Sequence, residues 1–114
     1  MALSEEKYAA GEDGLRRVLR QWDLPGDARL KGDLLDSWLE SVQRGGWTRK
    51  DVYRLVEEIL DESPSQFSQA TWDDLLEFET GLTGYCHVDS ITRFPNEPVD
   101  ADQLLEYVRG NHWR

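Results

Sequence analysis

The chain has 114 residues, with 23 acidic side chains against 13 basic ones, a formal net charge of −10 and a pI near 4.5. That length suits a single domain over residues 1–114, and an apolar fraction of 39% with five tryptophans is enough for a core, which excludes a disordered acidic tail. With no membrane-length apolar run, no basic-apolar leader pattern at Met1–Lys7 and only Cys86 as a thiol, the expectation is a soluble cytoplasmic domain without membrane contact, internal disulfide or cysteine-based zinc.

In chain order, Leu15, Val18, Leu19 and Trp22 recur at helical spacing and predict an amphipathic helix over about 12–22. Asp23-Leu24-Pro25-Gly26 breaks it. A second helix follows with Leu30, Leu34, Leu35, Trp38, Leu39 and Val42 on its apolar face, and Gly45-Gly46 stops it. Thr48 and Asp51 then form a capping box, with Trp47 and Val52 as a hydrophobic staple, before the stripe Val52, Leu55, Val56, Ile59 and Leu60. Ser63-Pro64 ends that helix. Thr71 with Asp74 repeats the box and opens a helix carrying Leu75, Leu76 and Phe78, closed by Gly81 and Gly84. Residues 82–98 lack a helical period and hold Pro95 and Pro98, so they read as an irregular link. Asp100 with Gln103 caps a last helix, stapled by Val99 and Leu104 and ended by Gly110. The expected fold is all-α: a compact helical bundle of four main helices, with the proline-containing link before the last helix.

The charge is unevenly placed. Residues 1–50 hold nine acids and nine bases, whereas residues 51–114 hold fourteen acids and four bases. From Leu55 to Thr92, 38 residues carry nine carboxylates and no Lys or Arg: Glu57, Glu58, Asp61, Glu62, Asp73, Asp74, Glu77, Glu79 and Asp89. An ordinary solvated surface mixes signs, and like-charge repulsion opposes folding, so this segment reads as a surface directed at a basic protein partner, the alternative being an acidic surface kept only for solubility. Direct nucleic-acid binding is not expected, because phosphate contacts need a basic face.

Catalytic and metal patterns are sparse. His87 and His112 belong to no HxxxH or HExxH pattern, Cys86 lies among acids that disfavour a thiolate, and no glycine-rich phosphate loop occurs. Glu57/Asp61 and Asp73/Glu77 are i,i+4 carboxylate pairs that a helical acidic face produces by chance. Asp89-Ser90-Ile91 echoes the attachment motif of acyl carrier proteins, but Pro95 and Pro98 forbid the long helix that would follow. No catalytic residue, metal or cofactor is therefore expected. Trp22, Trp38 and Trp47 are expected in the core, while Trp72, in the first turn of the most acidic helix, is a candidate binding anchor. Trp113 is left open between packing and dangling.

Over about residues 47–114 the order of these features resembles the colicin E/pyocin S nuclease immunity protein family. Trp47-Thr48-Arg49-Lys50-Asp51 leading to Leu55-Val56-Glu57-Glu58-Ile59 is similar to that family's first helix, and Phe78-Glu79 to the end of its acidic second helix. Asp89, Ile91, Phe94 and Pro95 resemble its short third segment, with Arg93-Phe94 where the family has two tyrosines. Residues 1–46 have no counterpart in it. The resemblance implies a small acidic helical protein that binds and inhibits a basic bacteriocin nuclease. It implies partner-selecting contacts from Asp73, Asp74, Glu77 and Glu79, an aromatic anchor in Phe94, a charged acceptor in Asp89, and Arg93 at the same contact. A second reading of the acidity is a nucleic-acid mimic or regulatory module that binds a DNA- or RNA-handling protein.

Overall fold

The computed structural model describes residues 3–62 and 66–114. Five α-helices follow one another: α1 Glu5–Asp23, α2 Ala28–Arg44, α3 Arg49–Leu60, α4 Gln69–Thr83 and α5 Ala101–Arg109, with a 3-10 turn at Val88–Ser90. The described residues contain no strand and no helix long and apolar enough to cross a membrane. The all-α expectation therefore holds, with five helices in place of four main ones. The last of them, α5, is short and starts at the expected cap, Asp100, whose side chain accepts from Gln103 N at 3.1 Å.

Helix α1 begins well before residue 12, because Ser4 caps it by accepting from Lys7 N at 3.2 Å. It continues through Gly11 and Gly14, which would ordinarily weaken a helix. Here Gly11 is a packing notch. Trp38 Nε1 donates to Gly11 O at 2.9 Å, and a Cβ on Gly11 would lie 2.2 Å from the Trp47 ring. Tyr8 stacks on the same Trp47 ring at 5.3 Å between centroids. Helix α2 is capped by Asp27 and buries Trp38 and Val42, but Leu30, expected on its apolar face, is exposed.

At α3 the expected box is present: Asp51 Oδ2 accepts from Thr48 N at 2.8 Å, and Trp47 and Val52 enter the same core. At α4 the start differs. Ser68, not Thr71, is the cap, and Thr71 is a buried residue whose N–H donates to Ser68 Oγ at 3.2 Å. The reason lies in α1: Asp23 Oδ1 accepts from both Ser68 N (3.0 Å) and Ser68 Oγ (2.8 Å), which fixes Ser68 as the first capping position. The Ser63-Pro64 break falls outside the described residues. Gly81 lies inside α4, and Gly84, at φ +83°, ends it in the left-handed region.

Helix α1 packs on α2 and crosses to α4, α3 packs on α4, and α5 packs on α4 and the 3-10 turn. Leu15, Leu19 and Trp22 of α1 share one core with Val52, Leu55 and Val56 of α3 and Leu75 and Leu82 of α4. Residues 3–46 are thus part of the same packed unit as the acidic half. A smaller cluster joins Ile91 to Leu104 and Val108; Val99, expected as a staple, is exposed instead. Trp22, Trp38 and Trp47 are buried, and Trp113 also packs inward, with Nε1 donating to Val108 O at 2.8 Å.

Candidate protein-interaction surface

The fold sorts the nine carboxylates of residues 55–92 into compensated and uncompensated groups. Arg16 of α1 reaches across to Glu62 while also holding Glu12 at 2.9 Å. Glu58 accepts from Arg54 Nε at 3.1 Å and from the Tyr8 hydroxyl at 2.9 Å. Hence the electrically balanced N-terminal half supplies part of the neutralisation that the acidic half lacks in sequence. Asp73, Asp74 and Glu77 are exposed and enter no ion pair among the described residues. Helical geometry explains their position: α4 turns Thr71, Leu75 and Leu82 into the core, which leaves 73, 74 and 77 on the outer face. Asp73 accepts from Gln69 Nε2 at 2.8 Å, a bond within its own helix.

Asp74 and Glu77 also form the rim of a groove of about 420 Å³ between α4 and the N-terminal part of α2. Phe78 extends the α4 wall, Gly32 and Leu35 line the α2 side, and Trp22 lies between them. Cys86 and Ser90 lie at the groove too, and Ser90 is next to the exposed Asp89.

Glu79, expected with these acids, faces the other way. Its Oε2 is buried without a hydrogen-bond partner, and the carboxyl lies against Glu57 of α3. Burial first, and the Glu57 carboxylate second, push the Glu79 carboxyl up to about 7. Glu57 thus meets an acidic partner across the α3–α4 contact, where the Asp61 charge also bears on Glu79. A hydrogen bond to Glu57 likewise pushes the Tyr53 hydroxyl up to about 12.

Phe94 is not an exposed anchor. Its ring is buried in the main core with the Arg49 guanidinium 4.8 Å from its centroid. Arg93 is exposed, but its Nη1 donates to Val99 O at 2.9 Å and its own carbonyl accepts from Gln43 Nε2 of α2 at 2.8 Å. Arg93, expected at the partner contact, therefore clips the link onto itself. Trp72 is half-buried in a shallow depression with Leu60 and Phe67. Of the expected site residues, the structure brings Asp74 and Glu77 together at the groove with Asp73 on the same outer face, and Asp89 stands next to Ser90. Arg93 and Phe94 sit by α2's C-terminal part and Arg49.

The residue most consequential for this arrangement is Arg49, which the sequence reading passed over. It is 1% exposed and donates to Leu82 O at 2.9 Å, to Thr92 O and to Glu97 at 2.8 Å. One guanidinium thereby ties α3, the end of α4 and the link. Only the isolated Glu97 between Pro95 and Pro98 hints at it in the sequence.

Reactive groups are muted. Burial pushes the Cys86 thiol up, and His87 Nδ1 accepts from Asp89 N at 3.2 Å as the cap of the 3-10 turn. Among the described residues no group of three or more His, Cys, Asp or Glu converges as a metal-binding set. No protein-family model matches the chain, and no curated protein or solved structure matches it.

Proposed function

We propose that this chain is an inhibitory binding protein that neutralises a basic nuclease toxin domain, as the resemblance over residues 47–114 implies. The observation that carries the reading is the outward face of α4, where Asp73, Asp74 and Glu77 stand exposed without an ion pair among the described residues, the last two lining an apolar groove. Uncompensated charge raises the association rate with a basic surface, while a few desolvated apolar contacts hold the complex. The internal pairing of Glu58 and Glu62 leaves a compact acidic patch, not the long rows that a nucleic-acid mimic needs, and so favours the inhibitor over the mimic.

The test looks for a reading frame adjacent to this gene with a basic, nuclease-like product and uses that product. Its cleavage of DNA and RNA is followed while the protein is titrated in, and association is timed at several salt concentrations. Cleavage is expected to fall to zero at a stoichiometric ratio. The on-rate should drop about tenfold or more in an Asp74→Lys/Glu77→Lys double variant, with the salt dependence flattened. Full cleavage in the presence of excess protein overturns the proposal.

A further inference from the structure

We infer that the α2–α4 groove takes a segment of the basic partner in which a bulky aliphatic or aromatic side chain stands next to Lys or Arg. The apolar group enters over Gly32, and the cation pairs with Asp74 and Glu77. This rests on the reading above, that the partner is a basic protein, and it assigns residues 1–46 a part in recognition.

Three observations point the same way. First, an added Cβ at Gly32 would meet nothing within 4 Å, so the α2 wall is open where Phe78, Leu35 and Trp22 present carbon. Second, the lining holds two carboxylates, Asp74 and Glu77, that form no ion pair among the described residues, against a single lining cation, Lys31, so the charge at the groove is net negative and lies on the α4 side. Third, two cations near the Cys86 end are engaged elsewhere, Arg109 with Gly84 O at 2.9 Å and Arg49 with Leu82 O, Thr92 O and Glu97. The groove thus offers an apolar slot with negative charge along one edge. It lacks the converging donors that would orient a small anionic ligand.

Two peptides serve as probes: one alternates Lys and Leu, and the other has the same Lys content with Ser replacing Leu. Binding is followed by anisotropy, and the alkylation rate of Cys86, the sole thiol, is followed at mildly alkaline pH. The Lys/Leu peptide is expected to bind about tenfold or more tighter than the Lys/Ser peptide and to slow Cys86 alkylation. Gly32→Leu, which fills the slot and raises helix propensity, should erase that preference, while Gly32→Ala keeps it. Asp74→Lys/Glu77→Lys should weaken both peptides.

Equal binding of the two peptides with unchanged Cys86 alkylation overturns the inference. So does a wild-type dimer that Gly32→Leu converts to monomer, since the groove would then be covered by a second copy. Running Gly32→Leu in the nuclease assay separates the two claims. If it still inhibits fully, the groove inference fails and the inhibitor reading survives. If the peptides behave as expected and no nuclease is inhibited, the reverse holds.

Discussion

A guanidinium that is 1% exposed has lost its hydration, and Arg49 replaces it with backbone carbonyls from two segments and the Glu97 carboxylate. Removing one member of such a pair leaves the other buried and uncompensated. Arg49→Met should therefore destabilise the fold by about 3–5 kcal/mol. Adding Glu97→Gln should recover part of that loss, and urea denaturation of the single and double variants measures both. Glu79 makes a prediction of the opposite kind. Its carboxyl is raised from 4.5 to about 7 in the fold, so the native state keeps a proton that the unfolded chain releases. Stability from this residue is fully present below pH 4.5 and is lost as pH rises to about 7. Glu79→Gln should flatten that decline in thermal melts across the same window, since the neutral amide needs no proton beside Glu57.

At the scale of elements, α4 is where local pattern and tertiary contact compete. Thr71-Asp74 has the spacing of a capping box, as Thr48-Asp51 has, yet only the latter caps a helix. Ser68 wins because Asp23, at the end of α1, binds both its N–H and its hydroxyl. Although burial raises the Asp23 carboxyl, bonds from Thr71 and Ser68 hold it below its usual range, so this tie is present at neutral pH and lost only on strong acidification. Ser68→Ala should cost about 1 kcal/mol and increase amide exchange at the first turn of α4, with little change in α3. Helices α1, α2, α3 and α5 were legible from periodicity and caps because those signals lie within one turn of the chain. The Asp23–Ser68 tie spans 45 residues and leaves no mark in either neighbourhood.

For the whole molecule, the excess of charge was correctly located in the second half by counting, but its meaning depended on distant contacts. Arg16 compensates Glu62, Arg54 with the Tyr8 hydroxyl compensates Glu58, and the turn of Glu79 toward Glu57 takes a third carboxylate off the free acidic surface. What remains outward is narrower than the 38-residue run suggested, and it is concentrated on α4. Phe94 was misplaced for a related reason. An aromatic in a polar, proline-rich stretch reads as exposed until a buried arginine is found waiting above it.

Gly81 carries a consequence for sequence change. Its carbonyl accepts from Thr92 N at 3.0 Å, and a Cβ there would press on Ser90 O and Thr92 Oγ1, each at 3.0 Å. The link is therefore seated on α4 by a main-chain bond, and its carbonyls at Thr92 and Arg93 accept from the Arg49 and Gln43 side chains, so its path does not depend on the exposed side chains along it. Exposed positions such as Tyr85, Asp89 and Val99 can exchange residues while the path of the chain stays fixed. Such a loop can drift toward a new partner one surface residue at a time, provided that Gly81 does not.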